Sequence, residues 1–274
     1  MGNLTVLNVM TDYGAFGDGV ADDTAAINAA FAAVPAANPP HTNGGAIVYF
    51  PSGTYLVSGP LTRQVSYTRC VGEGKDSTTI RLNPETWTGA ASPAEPDLSF
   101  ILDLAHYNVT DCSVEDMTID GQAQNLESPG TSALYSGILC SARSMIERVN
   151  LYDVWGYGLW ISGQNARFTR VIDCEADLGS FKGDGGSDCI GGGGYRISIV
   201  RFHWKPGMNK NSAVDMTTSG QETSVSLYDC TNESVNHIIL EGATQSLIHG
   251  CRLYGNNLHV TNDAIYIAHA TITR

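Results

Sequence analysis

The stretch Gly158-Leu159-Trp160-Ile161 belongs to a series of short apolar strands that recurs along the second half of the chain. From Gly137 to Gly158 is a step of 21 residues, and from Gly158 to Cys189 a step of 31. The members are Gly137-Ile138-Leu139-Cys140, Gly158-Leu159-Trp160-Ile161, Cys189-Ile190-Gly191-Gly192, Ala213-Val214-Asp215-Met216, Ile238-Ile239-Leu240 and Ala264-Ile265-Tyr266-Ile267. A second strand follows within the repeats, as in Ile199-x-x-Phe202-x-Trp204. Two or more strands in each repeat, without a helix between them, predict a β-solenoid.

A single helical segment precedes the repeats. Asp22-Asp23-Thr24 supplies N-cap candidates for the alanine-rich run that follows, and Pro35 ends it. We expect a helix over residues 23–33 that covers the exposed cross-section of the first coil. The predicted organisation is one domain over residues 1–274, with the entry segment and capping helix in 1–45 and the coils in 46–274. A β-sandwich would require hairpin signals every 8–12 residues or so, and these are scarce.

Composition excludes several classes of function. A formal net charge of −13 over 274 residues disfavours nucleic acid and anionic membranes as partners. No segment approaches the roughly 20 apolar residues of a membrane span. The opening MGNLTVLNV carries no visible signal peptide. The seven cysteines are odd in number and form no CxxC pair, so we expect buried free thiols and no metal or cofactor site.

The N-terminal residues carry a family resemblance. The segment from Asn8 to Ile27 reads NVMTDYGAFGDGVADDTAAI, and it is followed by Val48-Tyr49-Phe50-Pro51-Ser52-Gly53-Thr54-Tyr55 and by Val114-Glu115-Asp116-Met117-Thr118-Ile119-Asp120-Gly121. These segments resemble the pectate-lyase-like superfamily, which includes phage tailspike depolymerases, mannuronan epimerases and polygalacturonase relatives. The resemblance implies an all-β, right-handed, single-stranded parallel β-helix with a polysaccharide as partner. It also implies an extracellular location or a place in a phage virion tail.

Stacked coils bring residues that are distant in sequence into columns. Aligning the repeats predicts two outward columns, on either side of the inward residues Ile138, Leu159, Ile190, Val214, Ile239 and Ile265. The column before the repeat start reads Ser136, Tyr157, Asp188, Ser212, His237 and Asp263. The column two residues beyond the start reads Leu139, Trp160, Gly191, Asp215, Leu240 and Tyr266.

The outward columns predict a carbohydrate site. Asp188 and Asp215 lie on adjacent coils, and paired carboxylates suit acid–base cleavage of a glycosidic bond. His237, one coil further on, is a third catalytic candidate. The predicted substrate-binding residues are Tyr157 and Trp160 for stacking on sugar rings, Lys205 for uronate carboxylates, and Asp184 in a glycine-rich loop. A purely structural role, such as hydrogen bonding at coil corners, stays open for the two aspartates and for His237.

The resemblance to polygalacturonases is incomplete at the reacting centre. Gly186-Ser187-Asp188-Cys189-Ile190 resembles their Gly-Asp-Asp-Cys-Ile segment, with Ser187 in place of the first aspartate. Tyr157-Gly158 and Ser212-Ala213 stand where those enzymes carry acidic and histidine motifs, and the Asp-Pro-His motif of epimerases is replaced at Leu159-Trp160-Ile161-Ser162. Two functions follow: a glycosidase or lyase acting on an extracellular or capsular polysaccharide, or a glycan-binding phage tail component without catalysis. A homotrimer contact or another partner is expected over the C-terminal end of the helix.

Overall fold

The computed structural model describes residues 5–35, 45–62, 65–89, 92, 98–104, 109–125, 134–162, 167–178, 188–206, 212–216, 224–234, 237–241, 246–254, 258–261, 265–268 and 271–273. They contain one α-helix, α1 (Thr24–Ala32), and a short 3₁₀ helix (Ala123–Asn125). The strands, in chain order, are β1 (Val6–Asn8), β2 (Asp18–Asp22), β3 (Ile47–Tyr49), β4 (Gly53–Val57), β5 (Leu61–Thr62), β6 (Arg69–Val71), β7 (Thr78–Leu82), β8 (Leu98–Asp103), β9 (Ser113–Asp120), β10 (Leu134–Cys140), β11 (Met145–Tyr152), β12 (Leu159–Ile161), β13 (Arg170–Ile172), β14 (Glu175–Asp177), β15 (Ile190–Gly192), β16 (Ile197–Val200), β17 (His203–Trp204), β18 (Ser212–Met216), β19 (Val225–Tyr228), β20 (Thr231–Asn232), β21 (His237–Glu241), β22 (Ser246–His249), β23 (Arg252–Tyr254), β24 (Leu258–Thr261), β25 (Ile265–Ala268) and β26 (Thr271–Thr273).

The strands form three parallel ladders that run the length of the molecule. The first ladder is β1-β3-β6-β9-β11-β13-β16-β19-β22-β25, and the second is β2-β4-β7-β9-β11-β14-β17-β20-β23-β26. The two share the long strands β9 and β11, so they form one 18-stranded sheet among the described residues. The third ladder is the separate eight-stranded sheet β5-β8-β10-β12-β15-β18-β21-β24. Its eight strands mark eight successive coils, which confirms the prediction of a right-handed parallel β-helix with at least six coils.

The core is a set of apolar columns inside the coils. In the third ladder, Ile138, Leu159, Ile190 and Val214 pair in register and are each 0% exposed. In the second ladder, the small Ala176 lies beside the large Trp204, and both are fully buried. A solenoid interior of this kind needs each coil to cover the inner face of its neighbours.

Helix α1 packs over the first coil, as predicted. Its buried residues Ile27, Ala30 and Phe31 belong to the main core cluster. The Asn28 side chain ties the helix to β5, because its Nδ2 donates to Pro60 O and its Oδ1 accepts from Thr62 N.

The N-cap position predicted within Asp22-Asp23-Thr24 is occupied by Asp23, but the capping side chain is that of Asp22. The carboxylate of Asp23 makes no cap hydrogen bond to the helix and accepts instead from the backbone N–H groups of Phe16 and Gly17, at 2.6 and 3.0 Å. Asp22 is the residue that accepts from Thr24 N, at 2.9 Å. Burial raises the pKa of Asp23 more than these two backbone hydrogen bonds lower it. Asp23 therefore holds the entry turn, and Asp22 caps the helix.

The corner between the first and second ladders uses left-handed backbone at one position in each coil. This corner column reads Asp116, Arg148, Asp173, Arg201 and Asp229, with φ between 50° and 58°. Arg148 donates to both carboxylate oxygens of Asp116, and Arg201 to both of Asp173. Left-handed backbone is uncommon outside glycine, asparagine and aspartate, and the two arginines adopt it beside an acidic neighbour. Gly250 follows Asp229, where a Cβ would lie 2.1 Å from Asp229 Oδ1.

Two parts of the predicted repeat alignment are wrong. Ala264-Ile265-Tyr266-Ile267 was assigned to the third ladder, but β25 pairs with β22 in the first ladder, and β24 takes the expected place. A register irregularity between Ser212 and Val214 brings Ile239, and not Leu240, beside Asp215. The buried Ile238 consequently takes the place beside Val214, and Leu258 pairs with it on the next strand. The sequence pattern does not reveal this one-residue shift in register, because it arises from a β-bulge between Ser212 and Val214.

Candidate functional site

The outer face of the third ladder carries most of the predicted site residues. Its register aligns Leu139, Trp160, Gly191, Asp215 and Ile239 on successive strands. Cys189 and Ala213 point into the core together with their neighbours Ile190 and Val214. Two adjacent inward residues in each coil therefore separate this column from the one that contains Tyr157 and Asp188.

Two aromatic rings form the centre of this face. Tyr157 and Trp160 are half-buried, and their ring centroids lie 4.4 Å apart at an interplanar angle of 54°. Both rings lean over Gly191 on the next coil, where an added Cβ would lie 2.8 Å from Tyr157 and 3.0 Å from Trp160. We call these three residues the aromatic platform. Half-buried aromatic rings on a rigid sheet offer an apolar face on which a sugar ring can stack.

The two candidate carboxylates lie on the coils beyond the platform. Asp188 is only 8% exposed and precedes β15, while Asp215 is half-buried on β18. The register partner of Asp215 is Gly191, three residues along the chain from Asp188. Strand geometry then places the two Cα atoms on the order of 10 Å apart. Both side chains interact with other groups of the protein, so neither is free.

Lys205 is separated from these residues. It follows β17 in the second ladder, and its Nζ lies 3.3 Å from Glu175 and 3.9 Å from Asp177. Lys75 pairs with the same Glu175 at 2.6 Å. Burial raises the pKa of Glu175, but the hydrogen bond from Lys75 and the charge of Lys205 outweigh it, and the net pKa is lowered. Lys205 thus belongs to a neutralised ion-pair cluster of a different sheet.

The remaining two predicted residues are His237 and Asp184. The backbone of His237 is the first residue of β21 and pairs with Ser212, next to the coil that carries Asp215. The His237 side chain and all of Asp184 lie outside the described residues. No group of three or more His, Cys, Asp or Glu side chains within the described ranges could hold a metal ion.

The repeat pattern missed a layer of residues that covers the first coils of the same face. Leu98, Phe100 and Leu139 form a small core cluster here, against which Tyr157 and Trp160 pack. Residues 83–89 and 92 lie beside this cluster: Ser92 Oγ donates to the buried Asp103 at 2.7 Å, and Trp87, which packs against the main core, contacts Tyr135 edge-on with ring centroids 6.1 Å apart. We call residues 83–89 and 92 the cover. In the sequence, Trp87 is a large apolar residue outside the repeats, and it was the signal that could have indicated this additional layer.

Several buried polar atoms of this face have no hydrogen-bond partner. They are Trp87 Nε1, Ser99 Oγ, Trp160 Nε1 and Ser212 Oγ. Such atoms are uncommon in folded proteins and concentrate at functional surfaces or water sites. Four of the six such atoms among the described residues belong to the third ladder or its cover, which distinguishes this face from the other two ladders.

Comparison with known proteins matches this fold to a family. The family model described as "Rhamnogalacturonase A/epimerase, pectate lyase-like" matches residues 6–154, more than half of the chain. The chain belongs to this family. The pectate-lyase-like resemblance of the N-terminal segments is thereby confirmed.

Individual proteins extend the comparison. Mannuronan C5-epimerase AlgE1 of Azotobacter vinelandii is 32% identical over 159 residues, which are 54% of this chain and 10% of that protein. The A-module of the mannuronan C-5 epimerase AlgE6 of the same organism superposes with a TM-score of 0.71 at 19% identity, over 96% of this chain and 69% of that one. Geobacillus virus E2 ORF18 has a TM-score of 0.68 at 18% identity, over 97% of this chain and 52% of that one. The chain thus spans about a tenth of the curated relative. No helix among the described residues is long and apolar enough to cross a membrane.

Proposed function

We propose that this pectate-lyase-like chain binds an extended polysaccharide on the outer face of its third ladder and cleaves it by acid–base chemistry. The observation that carries the proposal is the aromatic platform, where two half-exposed rings are fixed over a glycine on a rigid sheet. The first substrates to test are mannuronan, which appears in the names of the relatives, and rhamnogalacturonan, which the description of the family implies. We expect the protein to act outside a cell or in a virion tail.

The carboxylates take different roles in the proposed cleavage. Asp188, only 8% exposed just before β15, is the general acid that protonates the leaving oxygen. Asp215, more accessible on the next coil, is the base that activates water. The three-residue offset between them leaves room for a sugar ring and the water. Elimination at a uronate would require a different base, and His237 is the candidate, since Lys205 is occupied by Glu175 in another ladder.

Turnover by single variants tests these roles. On a polymer that the wild type cleaves, Asp188→Asn and Asp215→Asn should each lower kcat by ~10²–10⁴-fold, the usual contribution of a general acid or base. Trp160→Ala should raise KM more than it lowers kcat, because it removes a stacking surface. Asp76→Asn and Tyr254→Ala change exposed residues of other surfaces and should leave both constants unchanged. Full activity of both aspartate variants would rule out the carboxylate pair.

Glycan binding without cleavage is the second candidate. It is favoured by the departures from the enzyme motifs at Ser187, at Ser212-Ala213 and at Leu159-Trp160-Ile161-Ser162. In that case the wild type would bind a polymer of the panel without releasing reducing ends or unsaturated uronates. Trp160→Ala would abolish binding, and Asp188→Asn would retain it.

A further inference from the structure

We propose that the corner between the third and first ladders is a second glycan-binding site, which takes a carboxylate-bearing sugar. Phe168, Tyr195 and Arg196 form this site, and Arg167 and Arg170 lie beside them. We call these five residues the basic corner. It is separate from the aromatic platform, so binding there does not depend on the cleavage proposed above.

The guanidinium of Arg196 is held by two aromatic rings. Its Cζ lies 5.6 Å from the ring centroid of Phe168 and 5.2 Å from that of Tyr195. The backbone fixes this arrangement, because Phe168 N donates to Tyr195 O at 3.0 Å and Arg167 pairs with Tyr195 in a parallel bridge. Contact with aromatic faces at this distance restricts an arginine side chain but leaves the N–H groups in its plane available to a ligand.

The arginines of the basic corner differ from most others in lacking an acidic partner. The arginines that pair with Asp or Glu are Arg69, Arg81, Arg143, Arg148 and Arg201. Arg167, Arg170 and Arg196 are exposed, and none of them forms an ion pair within the described ranges. Because the chain carries a net charge of −13, three such arginines at one corner are a local exception, and an anionic ligand would account for it.

The chemistry of the basic corner favours an acidic sugar over a bare anion. The planar guanidinium of Arg196 can donate two parallel N–H groups to a carboxylate. Phe168 beside it is 46% exposed and offers an apolar surface on which a sugar ring can stack. Arg170 pairs with Ser198, two residues beyond Arg196, so its Cα lies on the order of 8 Å from that of Arg196 and its side chain can reach the same ligand. The corner thus offers the cation for a uronate that was expected at Lys205, which is paired with Glu175 in another ladder.

Titration calorimetry with tetramannuronate and tetragalacturonate tests the site. The protein used carries Trp160→Ala, which removes the stacking surface of the platform, so the remaining binding reports on the corner. We expect at least one of the two oligomers to bind, and Arg196→Gln to weaken that binding by about tenfold or more, because charge-assisted hydrogen bonds are lost. Arg252→Gln removes the same charge at an exposed position of β23 and should bind unchanged. Binding of neither oligomer, or an equal loss in Arg196→Gln and Arg252→Gln, would overturn the inference while leaving the proposed cleavage untouched.

Two further comparisons separate an acidic sugar from general attraction between charges. Mannotetraose has sugar rings without carboxylates, and a short poly-glutamate has carboxylates without sugar rings, so both should bind the Trp160→Ala protein more weakly than the uronate oligomer does. Arg196→Lys keeps the charge but not the planar pair of donors, and it should recover little of the binding lost in Arg196→Gln. Full binding by Arg196→Lys, or equal affinity for poly-glutamate and the uronate oligomer, would contradict a site built for an acidic sugar.

Discussion

At the scale of single residues, Gly191 decides the shape of the proposed site. It stands in the column between Trp160 and Asp215, and only the absence of a side chain lets both rings lean across the next coil. A larger residue there would hold the rings upright and would fill the surface on which a sugar is expected to stack. The platform is therefore a property of two coils, since the glycine of one coil accommodates the aromatics of the other.

Gly191→Ala tests this directly. The new Cβ would lie 2.8 Å from two carbons of the Tyr157 ring, a distance at which the rings must move. We expect weaker glycan binding by titration calorimetry with an unchanged circular dichroism spectrum. Ser226→Ala, on the outer face of the first ladder, serves as the control and should bind like the wild type. Unchanged affinity of Gly191→Ala would show that the ring positions do not matter for binding.

The sequence predicted the position of the platform residues but not their interaction. The repeat alignment places Tyr157 and Trp160 outward, on either side of the inward Leu159, and the structure has them there. The contact of both rings with Gly191 on the next coil depends on the pairing of Trp160 with Gly191, 31 residues further along the chain. No local sequence pattern encodes that pairing. The local sequence pattern could not predict the location of Lys205 either. Its pairing with Glu175 follows from the stacking of β14 on β17, and a column alignment restricted to the third ladder does not include it.

At the scale of elements, helix α1 is expected to contribute to stability through one side chain above all. Phe31 is 1% exposed and packs in the core cluster that continues into the first coil. Phe31→Ala should lower the free energy of unfolding by about 3–5 kcal/mol, the usual cost of removing a buried phenyl ring. Phe16→Ala, at a phenylalanine that is 68% exposed, should change it by less than about 0.5 kcal/mol. Urea unfolding of both variants provides the comparison, and equal effects would mean that α1 is not packed on the coils.

The corner column should make a pH-dependent contribution. Hydrogen bonds from Arg201 lower the pKa of Asp173 below its ordinary value of 3.8. A carboxyl group whose pKa is lowered by folding stabilises the protein above that ordinary value, and the contribution disappears as the pH falls through the folded-state pKa. Arg201→Gln should therefore be slightly less stable than the wild type at pH 7, because an exposed ion pair contributes little.

The same comparison at low pH completes the test of the corner column. The difference between Arg201→Gln and the wild type should shrink as the pH falls below 3.8, because protonated Asp173 no longer attracts the guanidinium. Arg170→Gln removes the same charge at an exposed position of β13 and should show no such pH dependence. A stability difference that is constant between pH 7 and pH 2 would contradict an ion-pair origin.

At the scale of the whole molecule, the coils enclose every thiol. All seven cysteines are free and buried, as predicted, and Cys230 contacts Cys251 in the adjacent coil. Burial raises the pKa of Cys140, and it raises that of Cys174 to about 12. At pH 8 the native protein should incorporate almost no iodoacetamide, whereas the urea-unfolded chain should take up seven equivalents. Rapid labelling of the folded protein at any one cysteine would mean that its coil opens.

The repeated coils could be predicted from the sequence, whereas the bulge in the third ladder and the cover could not. Apolar residues at Ile138, Leu159, Ile190 and Val214 recur in each coil, and burial of these positions is what a solenoid requires. Beyond Val214 the pattern failed, because the bulge between Ser212 and Val214 shifts the pairing by one residue. The cover could not be predicted either, since Trp87 and Ser92 lie outside the repeats and act through single tertiary contacts.

The alternating corner column also limits how such a chain can change in length. Along it, each acid from Asp116 to Asp229 is followed on the next coil by an arginine or, at the last step, by Gly250. If a genetic deletion removed the coil that contains Arg148, Asp116 would lie directly against Asp173, and like charges would meet at the corner. Deletion or duplication of two consecutive coils keeps every acid beside an arginine. Insertions and deletions in this part of the molecule should therefore be tolerated in two-coil steps.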